Sequence, residues 1–320
     1  METTTEYATP ADASTGDAAD EITLVAICCV LSCLGILTNL LLLLTYVKHP
    51  ELRSPTHLLL VNQSIADSIM CGLGPFYYLL SHIDAGRQLA SKHKYLCLVA
   101  LCITVLTIWA SLFTLLSLSF DRMINIRFPF HYARLATESL VRRFTISLWI
   151  ALVGIVSLPL FGLNNWQPDQ VCSAITVLPK VYFINVFLLS SFIIVILVGV
   201  LNLVICAVAI NKRKIHPSGT ETQQLQMKSQ YKLTKMLLVV VGVFYTCWMP
   251  YIILNMIALL GTKTVLGGAI PRWFIMLLES SKLLVVINGS LNPIIYSWKL
   301  REFRKAFWKT VGLPTHSLQD

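Results

Sequence analysis

The chain has 320 residues, of which 56% are apolar and only 13% charged, against about 25% charged in an ordinary soluble domain. Apolar runs this long and this free of charge exclude a water-soluble globule and read as bilayer spans of about 20 residues each. Lys and Arg number 25 against 16 Asp and Glu, a net charge of +9 that reads as membrane topology and contact with anionic lipid, not as nucleic-acid binding.

Residues 1–21 carry Thr, Ser and the acids Glu2, Glu6, Asp12, Asp17, Asp20 and Glu21, with no Lys or Arg before Lys48. That composition predicts a disordered extracellular leader. It lacks the basic start and apolar middle of a signal peptide, so the first span is expected to act as its own insertion signal. Apolar runs follow at 22–47, 56–81, 94–126, 140–163, 178–210, 231–260 and 271–298, which predicts an all-α fold, a seven-transmembrane helix bundle. Basic residues gather after runs one, three and five and beyond run seven, among them Lys48, Arg53, Arg127, Arg134, Lys212, Arg213, Arg301 and Arg304. Basic loops stay in the cytoplasm, which places the N-terminus outside and the tail inside, as expected of a multi-pass plasma-membrane protein.

The longest connection, 211–230, is polar, holds Pro217-Ser218-Gly219 and reads as a mobile loop. After the last run, 299–311 alternates Leu300, Phe303 and Phe307 with Arg301, Arg304 and Lys305, predicting a short amphipathic helix on the inner membrane surface. Residues 312–320 remain as a cytoplasmic tail.

Cys28, Cys29, Cys33, Cys71, Cys102, Cys206 and Cys247 lie inside apolar runs, where cysteine behaves as a small hydrophobe. Cys97 and Cys172 both fall on the oxidising side, and a disulfide between them is the natural pairing. Asp67 lies in the middle of the second run, where insertion of a carboxylate costs about 2.5–3.5 kcal/mol. It needs polar partners, and Asn39, Ser111, Asn288 and Asn292 lie at similar depth; a functional site and a structural hydrogen-bond network both remain open. Pro250 and Pro293 fall deep inside the sixth and seventh runs, where each removes a backbone hydrogen bond. Each is either a static bend or part of a two-state element that a ligand biases.

Asn39, Ala66-Asp67, Cys97 with Cys172, Asp121-Arg122, Trp149, Cys247-Trp248-Met249-Pro250 and Asn292-Pro293-Ile294-Ile295-Tyr296 occur in this order along the chain. Together the set resembles the rhodopsin-like G-protein-coupled receptors across all seven spans. Leu118-Ser119-Phe120-Asp121-Arg122 with Ile126-Arg127-Phe128-Pro129, Phe161-Gly162-Leu163-Asn164-Asn165-Trp166, Asn255 and Arg301-Glu302-Phe303-Arg304 make it most similar to the adenosine and melanocortin branch. The resemblance implies that Arg122 holds Asp121 at rest and meets a heterotrimeric G protein after the sixth span moves. Pro250, Asn292, Pro293 and Tyr296 would belong to the same switch. It also implies a sodium ion, as the one expected bound cofactor, among Asp67, Ser111, Asn288 and Asn292, with Trp248 beside it. Thr104, Trp248 and Asn255 would face the ligand, and arrestin is a further implied partner.

The chain also departs from that branch. Met123 replaces the tyrosine usual after Asp-Arg, and the fifth span has no proline. Ser173-Ala174-Ile175 follows Cys172 where adenosine receptors carry purine-contacting Phe and Glu, and Val285 and Val286 replace ribose-binding residues. Thr104 replaces the aspartate of amine receptors. Lys282, three residues after Glu279, either neutralises that acid along the helix or faces the pocket to receive an acidic group. The ligand classes left are an adenosine-like nucleoside or other small molecule, and an acidic lipid or peptide held by Lys282. An enzyme is not expected, because the histidines lie in loops or near helix ends. A transporter or channel fits poorly, because the polar groups near Asp67 form one local cluster with nothing leading onward.

Overall fold

The computed structural model describes residues 15–215, 221–260 and 271–312, and every regular element among them is helical. In chain order these are α1 (Thr15–Lys48), α2 (Pro55–His82), α3 (Asp84–Lys92), α4 (Lys94–Arg127), α5 (Pro129–Leu135), α6 (Glu138–Val156), α7 (Ala174–Val177), α8 (Ser190–Ile215), α9 (Glu221–Leu260), α10 (Arg272–Lys299) and α11 (Arg301–Val311). A π-helical stretch, Tyr182–Leu189, leads directly into α8. The leader before Thr15, the Pro217-Ser218-Gly219 connection and the tail beyond Gly312 lie outside the described residues.

Among the described residues six helices are long and apolar enough to cross a membrane: α1, α4, α6, α8 with its π-helical lead, α9 and α10. The seventh member of the bundle, α2, has 28 residues and so reaches about 42 Å. Its apolar average is lowered by Asn62, Gln63, Ser64 and Asp67, all of which are buried. Turned inward, these groups meet one another and not lipid. The hub of the bundle is α4, with 67% of its most apolar stretch buried against 28% for α1 and 11% for α6. It packs on α2, α6, α8 and α9, and α1 closes the ring between α2 and α10.

Several boundaries differ from those of the apolar runs, for local reasons. The first helix begins at Thr15, within the segment expected to be disordered. Its early turns carry Asp20 and Glu21, and acids are favoured near a helix N-terminus; Glu21 also holds Arg87 of α3 at 2.9 Å. Most of the expected mobile loop 211–230 is helical, since α8 continues to Ile215 and α9 starts at Glu221. Gln, Leu, Met and Lys, which fill 223–228, are good helix formers without being apolar overall. The fourth span ends early: Pro159 sits in a 3-10 turn, and Gly162 at φ 113° takes the left-handed position that closes it. At the start of α2, Ser54 accepts the amide of His57 and Pro55 follows, the expected cap chemistry. The amphipathic helix is present as α11, burying Phe303 and Ala306 while Lys305 and Lys309 are exposed.

Polar side chains pin the apolar helices together. The Trp149 indole donates to Asn62 Oδ1 at 2.7 Å, and Asn62 Nδ2 donates to Thr114 Oγ1 at 2.6 Å, joining α6, α2 and α4. Asn39 Nδ2 reaches the Gly289 carbonyl at 3.0 Å, tying α1 to α10. Asn202 Nδ2 donates to Ser119 Oγ at 2.8 Å, tying α8 to α4. Such bonds contribute about 0.6 kcal/mol each in membranes, so close packing must supply the rest. At Gly35 of α1 the neighbouring helices approach closely, because a Cβ there would collide with Cys71 Sγ of α2 and come within 2.7 Å of Ser290 Oγ of α10.

Gly35→Ala is therefore expected to destabilise the bundle by about 1–3 kcal/mol through overpacking. Heat inactivation of the purified protein should show a lower midpoint, partly recovered in Gly35→Ala/Cys71→Ala. Gly72→Ala, where an added Cβ meets nothing within 4 Å, should leave the midpoint unchanged.

Candidate functional site

Functional residues lie at successive levels along α4. At its first turns Cys97 is bonded to Cys172, with Cα atoms 5.7 Å apart. This anchors the segment entering α7, and Ala174 of α7 forms part of the wall of a cavity of about 750 Å³, open mouth included. The capping box of Ser173 with Thr176 fixes that short helix locally.

The cavity lies between α2, α4 and α10, with Phe187 and Tyr251 closing it. Its wall is mostly apolar: Met70, Leu73, Leu101, Val105, Ile108, Val285 and Val286 contribute, with Tyr77, Tyr78, Thr104 and Thr107 among them. Lys282 is the one charged side chain in the lining. Its Nζ contacts both Glu279 oxygens, at 2.6 and 2.7 Å, and stands 5.7 Å from the centre of the Tyr77 ring. The two readings of Lys282 are thus compatible: it is paired along its helix and also faces the cavity.

Glu279 stands behind Lys282 and is not part of the wall. It is shared with His82 of α2, whose Nε2 lies 3.2 Å from Glu279 Oε2, while Nδ1 lies 3.1 Å from the Tyr78 carbonyl oxygen. Each ring nitrogen thus faces an oxygen acceptor. The Tyr78 hydroxyl completes the tie between α2 and α10 by donating to the Glu279 carbonyl at 3.2 Å. Sequence reasoning missed Tyr77, Tyr78, His82 and Tyr251. The one available signal was the spacing of Tyr78 and His82, one helical turn apart, which stack with ring centres 5.1 Å apart.

Thr104 lines the cavity, and its hydroxyl donates to the Ala100 carbonyl at 2.9 Å. Trp248 and Asn255 do not line it. Trp248 is buried and stacks on Phe244 with centroids 5.5 Å apart. Asn255 spends its amide on the Tyr251 carbonyl of its own helix, at 2.8 Å.

At the next level Asp67 is 2% exposed. Asn292 Nδ2 donates to its Oδ2 at 2.9 Å, and Gln63 Nε2 lies 3.2 and 3.3 Å from its two oxygens. The same Gln63 nitrogen hydrogen-bonds Ser111 Oγ. A hard cation takes oxygen ligands. Here the carboxylate meets N–H donors from two amides, and Ser111 is reached by Gln63. Of the expected sodium set, Asp67, Ser111 and Asn292 are joined directly or through Gln63, while Asn288 Oδ1 is buried without a hydrogen-bond partner among the described residues; the N–H donors around the carboxylate do not fit a sodium cage. The sequence reading overlooked Gln63, one turn before Asp67 on the same face.

At the far end of α4, Arg122 is buried and its guanidinium holds Asp121 through Nε at 2.9 Å and through a second nitrogen that also meets Thr56. Thr56 of α2 donates to Asp121 Oδ2 at 2.9 Å, and the Tyr132 hydroxyl of α5 donates to Oδ1 at 2.8 Å. Burial, followed by the neighbouring Asp121 carboxylate, pushes the Tyr132 phenol above its ordinary pKa, which keeps it a donor. Pro250 and Pro293 sit inside the continuous helices α9 and α10. Tyr296, three residues after Pro293, is fully buried with no partner for its hydroxyl among the described residues.

Comparison with known proteins gives a concordant answer. The family model described as 7 transmembrane receptor (rhodopsin family) matches residues 38–296. The chain is similar to the rat somatostatin receptor type 4, 25% identical over 312 residues that cover 94% of this chain and 77% of that protein. It is likewise 25% identical to the mouse adenosine receptor A2b over 310 residues, covering 90% and 89% of the two chains. With the dog adenosine receptor A2a it shares 25% identity over 296 residues, 87% and 69% of the two.

Because Cys97–Cys172 anchors one wall of the cavity, Cys97→Ser, Cys172→Ser and the double variant should lose the same stability, roughly 2–4 kcal/mol. Heat inactivation of all three should coincide; a double variant clearly worse than either single one would show that the thiols act separately.

Proposed function

This chain belongs to the rhodopsin family of seven-transmembrane receptors, and from that premise we propose how its own residues divide the work of a G-protein-coupled receptor. It is a multi-pass membrane protein that signals to heterotrimeric G proteins, and no enzymatic step has a place in this reading. Its site is the plasma membrane, with the Cys97 end of α4 outside and the Arg122 end in the cytoplasm. The distribution of Lys and Arg supports that orientation.

The ligand best supported by the geometry is a small, largely apolar molecule bearing one acidic or strongly accepting group. The observation that carries this reading is Lys282, alone in charge on a wall that is otherwise mostly apolar and aromatic. Its pairing with Glu279 keeps the ammonium satisfied until a ligand arrives, and the sharing of Glu279 with His82 eases its release. A nucleoside is the second reading, favoured by relatives named adenosine receptors. Against it stands Asn255, whose amide is already bonded within its own helix.

Transmission would run through α9 and α10. A ligand between α2, α4 and α10 presses on Tyr251, one residue beyond Pro250, and shifts a helix whose backbone ladder lacks one bond at that proline. At the cytoplasmic end Arg122 leaves Asp121 and becomes available to the G protein, with arrestin using the same face. Lys305 and Lys309 on the exposed side of α11 meet anionic lipid headgroups.

Two experiments test this reading. In a panel of apolar carboxylates and nucleosides read by G-protein dissociation, Lys282→Met should weaken the response to the acids at least about tenfold, equivalent to roughly 1.4 kcal/mol. Lys282→Arg should retain most of it; unchanged potency in both variants removes Lys282 from ligand recognition. Separately, Thr56→Val deletes the hydroxyl between Arg122 and Asp121, worth about 1 kcal/mol. Basal signalling should rise roughly fivefold, and no rise would mean that the bridge does not restrain the resting state.

A further inference from the structure

The Asp67 site contains a residue that the switch described above does not use. Gln63 and Asp67 are four apart on α2, and the single Gln63 nitrogen lies within hydrogen-bond distance of both carboxylate oxygens and of Ser111 Oγ on α4. It therefore stands where any cation bridging Asp67 to Ser111 would have to sit. Hard cations of this size need their oxygens at roughly 2.3–2.6 Å, a space that the amide nitrogen fills. A second amide and the α10 backbone also flank the carboxylate. Asn292 donates to Oδ2 from α10, and the α10 backbone comes so near at Gly289 that a Cβ there would lie 3.4 Å from Asp67 Oδ1.

We propose that the Gln63 carboxamide is a built-in substitute for a bound cation, so that this receptor keeps its resting core without sodium. The amide brings partial positive charge to Asp67 and links α2 to α4, as an ion would. Being tethered one helical turn away, it is present at every salt concentration and pays no association entropy. Gln63 Oε1, Asn288 Oδ1 and Asn292 Oδ1 are buried acceptors without a hydrogen-bond partner among the described residues. They are the oxygens left for an ion once the Gln63 side chain gives up its place. Amide and ion therefore compete. That competition is independent of which ligand fills the outer cavity.

The test compares heat-inactivation midpoints of purified receptor in sodium chloride and in N-methylglucamine chloride at one ionic strength, up to roughly 0.15 M. The wild type is expected to show no sodium-dependent shift. Gln63→Leu and Gln63→Met, which keep bulk but remove the donor, are expected to gain a rise of several degrees that is specific to sodium. The gain should vanish when Asp67→Asn is added. Two variants of different shape guard against a packing defect in one of them. A wild type stabilised by sodium as strongly as the variants would overturn the proposal, and so would two folded variants that gain nothing. A sodium response present in the wild type and lost in both variants would overturn it in the opposite sense, by making Gln63 an ion ligand through Oε1.

Discussion

A carboxylate held at 2% exposure among apolar helices must be met by donors or by a counter-charge, because bulk solvent does not reach it. Asp67 imposes that requirement on three helices at once. Gln63 answers it from α2, Asn292 from α10, and Ser111 of α4 completes the group through Gln63. The polar residues that lower the hydropathy of α2 are therefore the reason α2 lies inside the bundle. They also set the depth at which α4 and α10 can approach it. The outer cavity and the inner Arg122 cluster lie on either side of this level, so it fixes the relative positions of the two working ends.

The two ends use opposite electrostatic designs. At the outer end one acid, Glu279, meets two nitrogen-bearing side chains, His82 and Lys282. At the inner end one acid, Asp121, collects a guanidinium and two hydroxyls. Breaking a paired, desolvated charge is expensive unless the released group gains another partner. Each end is thus stable alone and exchangeable for an incoming partner of the right chemistry, which is the property a relay needs.

The sequence made legible whatever depends on long apolar runs or on single improbable residues. The helical bundle, the Cys97–Cys172 pairing, the inward position of Asp67 and the Asp121-Arg122 pair all belong there. Contacts decided across helices were not legible. Nothing in the spacing of His82 or Glu279 says that they meet, and Gln63 reads as one more polar residue until the rotation of α2 against α4 is known. Asn255 shows the converse: the resemblance to adenosine receptors assigns it to the ligand, whereas its amide is bonded to its own backbone at Tyr251. Boundaries failed where helix-forming polar residues extend a helix past its apolar part, as at the starts of α1 and α9. The short helices α3 and α5 were missed because they are held by turn chemistry and ion pairs, not by an apolar period.

The bundle is also uneven in cohesion. Only 11% of the most apolar stretch of α6 is buried, and its indole bond to Asn62 is a conspicuous polar attachment to the remaining helices. Local opening follows the weakest-packed unit. The fold therefore divides into a firmly cohesive set around α4 and one peripheral helix. Lipids of different thickness can tilt or lift that helix without disturbing the relay between cavity and Arg122.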